Sequence, residues 1–210
     1  MARQIHMYRL ANELRSEANL PKLPPNRLND EIPIENRVAL FTKSKLKLKI
    51  HDLTDLFLDC ESSMIQKSLS KKEVVRCIIL PGFAGKIGNK NLDNNGAQLP
   101  RLGRELASAA KLAGVAGIFH SDELPAYGIT DSDINSIIDQ LSLGKSDAFV
   151  LCVAPNWQAD LALESVLNRA RSAYHRIIQE VRNVVIKKGQ PDDGTTTAMR
   201  PLPGLSLIHI

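Results

Sequence analysis

The sequence predicts an α+β protein built as a two-layer α/β sandwich, and three features carry that expectation. Short β-branched apolar runs, VVRCIILPGF at 74–83 and DAFVLCVAP at 147–155, alternate with longer stretches whose apolar residues recur at helical spacing. Only a few such runs occur, too few for a doubly wound sheet. The alternating pattern occupies roughly 110 to 130 residues, the size of one compact module, and leaves both chain ends outside it.

Taken in order, MYRLANELRSEA at 7–18 has helix formers at helical spacing, and the prolines of NLPKLPPN end that helix. Residues 21–35 form a linker. KSKLKLKI at 43–50 alternates strictly, so a strand there places Lys43, Lys45, Lys47 and Lys49 on one face and Leu46, Leu48 and Ile50 on the other. The lysines then either guard an edge strand or form a ridge that contacts phosphates. A buried strand follows and stops at Pro81-Gly82, and GFAGKIGNKNLDNNG makes a long loop. Gly82, Gly85 and Gly88 resemble a phosphate-binding loop in spacing, but the Gly-Lys-Ser/Thr ending and the GxGxxG order are both missing.

LGRELASAAKLAGVAG at 102–117 puts Leu102, Leu106, Ala109, Ala110 and Ala113 on one stripe, with Gly114 or Gly117 to end the helix. AGIFH at 116–120 is a short strand. Thr130 and Asp133 form a capping box for a helix whose Ile134, Ile137, Ile138 and Leu141 define the buried face. Another buried strand spans 147–155. Asn156 then caps a long helix to about Val185, with Leu163, Val166, Leu167, Ala170, Tyr174, Ile177, Ile178 and Val181 inward and Arg169, Arg171, Arg176 and Arg182 on the solvated face.

The chain has 210 residues, 43% of them hydrophobic and 24% charged, which excludes the disordered class and allows a real core. No apolar run approaches the roughly 20 residues of a membrane span, and MARQIHMYRL lacks a secretory h-region, so no membrane association and a cytoplasmic location are expected. Cys60, Cys77 and Cys152 are odd in number and widely spaced, against both a disulfide framework and a CxxC metal knuckle. Cys77 and Cys152 sit inside apolar runs and are expected to be small buried hydrophobes. The formal charge of +4 permits an RNA partner without demanding one.

FHSDELPAYGI at 119–129 concentrates His120, Ser121, Asp122 and Glu123, which raises the question of a hydrolase. In a strand His120 and Asp122 share a face and Ser121 points away, so an in-line triad is excluded. No GxSxG or HExxH motif occurs, and His51 and His175 are distant in sequence, so neither catalysis nor a metal is expected here. The expected role is structural, with Asp122 and Glu123 accepting backbone hydrogen bonds where the strand turns.

PGFAG at 81–85, RLGRELA at 101–107, GIFHSDELPAYGI at 117–129, DAFVL at 147–151 and DGTTTAMRPLPG at 193–204 occur in the order seen in the E subunit of the archaeal glutamyl-tRNA(Gln) amidotransferase, which the chain resembles from about His51 to Gly204. The resemblance makes residues 51–190 the GAD domain, a DCoH-like insertion shared with bacterial-type aspartyl-tRNA synthetases, with strands in one layer and helices in the other. It makes residues 1–50 partial cradle domain and linker, and 191–204 the return to the cradle. The signature residues it picks out are Gly82, Phe83, Gly85, His120, Asp122, Glu123 and Arg200, with Pro201, Pro203 and Gly204 as further cradle residues. It implies an enzyme that uses ATP and Mg²⁺ to phosphorylate the γ-carboxyl of glutamate on tRNA(Gln) and then amidates it, with ammonia from an amidase-like partner, the amidotransferase D subunit. The catalytic part lies outside this stretch, so no catalytic residue, cofactor or metal is expected in it.

Thr197 and Ala198 stand where the family usually has Arg and Tyr. After Gly204, LSLIHI at 205–210 is what CTGTCTCTTATACACATC, a transposase mosaic end used in library preparation, encodes, and these residues are expected to be adaptor. Two other functions compete with an amidotransferase fragment. One is a free-standing module that docks on tRNA or a protein, with Lys45, Lys47, Lys49, Arg101 and Arg104 as contact candidates. The other is the same insertion in an aspartyl-tRNA synthetase, whose class II motifs the flanks do not show.

Overall fold

A computed structural model describes residues 2–23, 36–88, 102–175, 182–184 and 196–198. Its centre is a four-stranded antiparallel sheet in the order β1-β2-β4-β3, formed by β1 (His51–Asp52), β2 (Val74–Leu80), β3 (Phe119–His120) and β4 (Ala148–Ala154). β2 and β4 pair along their whole length, from Val74 opposite Ala154 to Leu80 opposite Ala148. β1 adds only His51 opposite Cys77 and Asp52 opposite Arg76, and β3 only Phe119 opposite Leu151 and His120 opposite Val150.

The period of two in β2 and β4 sorts side chains into two cores. Ile78, Leu80, Ala148, Val150, Cys152 and Ala154 face α4 (Leu102–Lys111) and α6 (Asn156–Ser172). Val75, Cys77, Phe149 and Leu151 face the opposite way, onto Phe57, Ile65, Ile129 and Ile137 from the 3-10 turn Thr54–Phe57, α3 (Ser63–Leu69) and the region of α5 (Asp131–Leu141). Mixed helix and strand with one small antiparallel sheet is the α+β class expected. Both faces of the sheet are covered, however, where the sequence predicted helices in a single layer. The near-unbroken burial of β4 is the local signature of that double cover.

α1 (Ala2–Glu17) and α2 (Asn36–Lys45) join the first core through Met7, Leu10, Leu14 and Val38. Arg15 is buried, and its guanidinium donates to the carbonyls of Pro21 and Tyr174, the latter at 3.2 Å. The Tyr174 ring lies edge-on between Phe41 at 5.7 Å and Phe83 at 6.0 Å.

Several expectations give way. Residues 43–50 are not a strand: Lys43 and Lys45 end α2, and the chain runs on without pairing until His51. Leu46 is buried there while Leu48 is exposed, because the Leu46 N–H still bonds back to Thr42 as a last helical turn. α6 stops at Ser172 rather than near Val185. The N–H groups of Ala173, Tyr174 and His175 bond three residues back, which tightens and ends the helix. Arg182–Val184 is instead a strand, β5, paired antiparallel with β6, Thr196–Ala198. Arg176, Ile177, Ile178 and Val181, the stretch MRPLPG with Arg200, and LSLIHI lie outside the described residues. Asn156 is the first residue of α6, not its cap, and its side-chain oxygen accepts from the Arg76 guanidinium at 2.6 and 3.0 Å. On α5 the capping box forms as expected, with Thr130 N–H donating to Asp133 at 2.7 Å, but Ile138 is 36% exposed and only Ile137 is fully buried.

Candidate functional site

The chain's two signature motifs meet in space. β2 delivers the chain to Pro81-Gly82, and Gly82 and Gly85 take φ of +82° and +74°, a region open to glycine and strained for other residues. Phe83, between them, is buried against Tyr174. On the neighbouring segment β3 ends at His120, and Ser121–Glu123 turns as a 3-10 helix. That turn aims Asp122 at the glycine loop, where its carboxylate accepts the N–H groups of Gly85 at 2.9 Å, Ile87 at 2.8 Å and Gly88 at 3.0 Å.

Close packing makes the interlock specific. A Cβ on Gly88 would lie 2.8 Å from the Asp122 Cβ, and a Cβ on Gly103 would lie 2.6 Å from His120 Nε2. Gly103 therefore lets the buried His120 ring lie against α4, while the Gly103 N–H donates to the Ile87 carbonyl at 2.9 Å. Glu123 closes the turn by accepting the His120 N–H at 3.1 Å, and its carboxylate also lies 3.7 Å from His120 Nε2.

The expected backbone-bonding role of Asp122 and Glu123 is what the geometry shows, although the face argument behind it does not survive. The strand ends at His120, so alternation does not govern Ser121. The Ser121 hydroxyl donates to Asp122 and accepts the Phe149 N–H, each at 3.4 Å, so both its bonds are structural. A phosphate does not fit the glycine loop. The N–H groups it would need are already held by a carboxylate, and placing an anion beside Asp122 would set two negative charges together.

The basic candidates separate. Lys45, Lys47, Lys49 and Arg104 are exposed, the lysines at and beyond the end of α2 and Arg104 on α4, while Arg101 lies outside the described residues. Arg169 and Arg171 are not on a solvated face. Arg169 pairs with the buried Glu105 of α4, through Nε at 3.0 Å and through Nη2, and donates to Ser172 at 2.7 Å. Arg171 grips the Leu46 carbonyl at 2.7 and 3.0 Å. Sequence reasoning passed over Gly103 and Glu105. A glycine and a glutamate on the apolar stripe of a helix are the local signals that could have flagged both.

Other titratable groups behave as scaffold. Burial pushes the Cys77 and Cys152 thiols up to about 12, as expected of small buried hydrophobes, and burial followed by the Glu17 charge pushes Tyr174 to about 12. Burial and then Lys49 hold His51 below its ordinary value. Asp52 is pushed up by burial, but hydrogen bonds from Thr54 and the charge of Arg76, 2.7 Å away, outweigh that and leave it low.

Residues 65–163, which include the sheet strands β2 to β4 and the interlocked loops, match the model of the GAD domain family. Over most of its length the chain is similar to part of the E subunit of glutamyl-tRNA(Gln) amidotransferase. It is 41% identical over 162 residues to that subunit from Methanobrevibacter smithii, 40% over 164 residues to that from Thermococcus gammatolerans, and 37% over 163 residues to that from Methanocaldococcus jannaschii. These matches cover 77–78% of this chain and 24% of each relative, so the chain spans about a quarter of the length of the curated relatives it matches. No helix among the described residues is long and apolar enough to cross a membrane.

Proposed function

We propose that this chain is the GAD-domain portion of an amidotransferase E subunit that, with an amidase-like D subunit, converts Glu-tRNA(Gln) to Gln-tRNA(Gln) in the cytoplasm by ATP-dependent transamidation with glutamine as amido donor. The observation that carries this reading is the 41% identity to an amidotransferase E subunit over 162 residues, which includes both halves of the glycine-loop interlock. Within such an enzyme the chain supplies position rather than chemistry. Phosphoryl transfer needs placed metal ligands and phosphate donors, and the one glycine loop that resembles a phosphate cradle is filled by Asp122. ATP and Mg²⁺ belong to parts of the enzyme beyond these residues. Residues 1–50 and 191–204 act in this reading as the two crossings into a cradle domain.

A chimera tests the proposal. The matching segment of the Methanobrevibacter smithii protein is replaced by this chain's, co-expressed with the D subunit of the same organism, and assayed for conversion of Glu-tRNA(Gln) to Gln-tRNA(Gln). Transamidation within about tenfold of the parent, roughly 1.4 kcal/mol in transition-state stabilisation, is expected. A chimera that folds and assembles with the D subunit yet shows no conversion would sink the proposal.

A further inference from the structure

We infer that the lysine run Lys43, Lys45, Lys47 and Lys49 is an RNA phosphate-contacting ridge, an inference that rests on the tRNA-dependent function proposed above. Between Asn36 and His51 the chain carries Arg37 and these lysines and no acidic residue. All four lysines are exposed, and none forms an ion pair among the described residues.

Two structural explanations for such a run fall short. Lysines that guard a sheet edge need a strand to guard, and residues 46–50 form none, β1 being only His51–Asp52. Lysines that complement a helix C-terminus account for Lys43 and Lys45 in the last turn of α2, but Lys47 and Lys49 lie past its end, where the helix dipole has faded. The backbone that carries them is nevertheless fixed. The Leu46 side chain is buried and its carbonyl is held by Arg171, while His51 pairs with Cys77. A cationic segment pinned at both ends and unpaired in between loses little conformational entropy when it meets a polyanion. Leu48, 46% exposed between two lysines, adds an apolar contact for a ribose or base face. A phosphate backbone is the partner that this chemistry recognises: repeated negative charge with no demand for a particular sequence.

The test is binding of a tRNA(Gln) transcript to the 210-residue chain as salt is raised from 50 to 300 mM. It compares the parent with Lys47→Gln/Lys49→Gln and with Lys67→Gln/Lys71→Gln, a charge-matched pair of exposed lysines on the α3 side of the sheet. The ridge variant should lower the slope of log K against log salt by roughly 1.5 to 2 and weaken binding on the order of tenfold at 100 mM salt, while the control pair leaves both unchanged. Circular dichroism establishes that each variant is folded. The inference is overturned if the parent does not bind the transcript, if both pairs weaken it equally, or if the ridge variant loses affinity for phosphatidylserine vesicles and none for RNA. An active chimera together with a silent ridge would reject this inference and leave the transamidation reading standing; an inactive chimera would reject that reading whatever the ridge binds.

Discussion

Asp122→Ala removes the acceptor for the N–H groups of Gly85, Ile87 and Gly88 at once. A hydrogen bond to a charged group contributes about 1.5–3 kcal/mol. The Gly85 N–H lies at the exposed rim, where water replaces the carboxylate at little cost, so the effect comes from the part-buried bonds to Ile87 and Gly88. Two such bonds amount to about 3–6 kcal/mol gross, and opening of the loop toward water reduces this to a net loss of about 2–4 kcal/mol. Asp122→Asn retains one acceptor oxygen but turns an N–H₂ toward the donors, and should fall between Ala and the parent. The assay is urea unfolding of both variants, with amide exchange at Ile87 and Gly88 as the local readout and Asp59→Asn, at an exposed position, as the charge-removal control. A loss for Asp122→Ala no larger than about 0.5 kcal/mol, the range of an ordinary surface change, would refute the reasoning that this carboxylate ties the loop down.

Gly103→Ala sets the about 1 kcal/mol that alanine gains over glycine in a helix against a Cβ 2.6 Å from His120 Nε2, and overpacking should win with a net loss of about 1–2 kcal/mol by urea unfolding. Arg169→Leu takes one guanidinium from the buried Glu105 carboxylate and should cost about 2–4 kcal/mol by urea unfolding, part of it recovered in Arg169→Leu/Glu105→Leu because the carboxylate that lost this partner is removed with it. Acidification should destabilise the fold in two stages. His51 is held below its ordinary value, so the unfolded chain takes up the proton first and stability falls as pH drops below about 6.5. Asp52 is also low, and its contribution, present above about 3.9, is lost as pH falls through its folded value. Chemical unfolding at pH 7.5, 6.0, 5.0, 4.0 and 2.5 reads both stages, and His51→Asn should flatten the first.

Much of the fold was legible because burial and period coincide in the strongest segments. VVRCIIL and AFVLCVA are β2 and β4, and the capping box of Thr130 and Asp133 opens α5. Where the sequence misled, two physical signals shared one pattern. KSKLKLKI alternates like a strand, yet its lysines are exposed because α2 ends among them and Arg171, from the last turn of α6, holds the Leu46 carbonyl. Arg169 looked solvated because helical periodicity shows which way a residue points and not that Glu105, 64 positions earlier, waits beside it. The helical cover on the second face was only half legible for a similar reason. The apolar face of α5 is read from Ile134, Ile137 and Leu141, but α3 is too short to show a stripe, and periodicity does not say which face of a sheet a helix covers.

The same contacts explain why a glycine loop that resembles a phosphate site serves as a joint. The loop touches several parts of the chain at once: Asp122 through its N–H groups, α4 through the Ile87 carbonyl, Tyr174 through Phe83, and α1 through Lys86, whose ammonium lies 3.1 Å from Glu17. Tyr174 is in turn the residue whose carbonyl Arg15 reaches from α1 and whose ring meets Phe41 of α2. The described residues of α1 and α2 share the first core through Met7, Leu10, Leu14 and Val38, while their polar and aromatic contacts gather at the end of α6 and at the glycine loop. A carboxylate fits such a joint better than a bound anion, because Asp122 is covalently fixed to the β3 turn and transmits the position of one segment to the other. A loosened joint would strip α1 and α2 of these polar anchors and leave them held by their apolar share of the first core alone, so a substitution in the glycine loop should be felt at both helices.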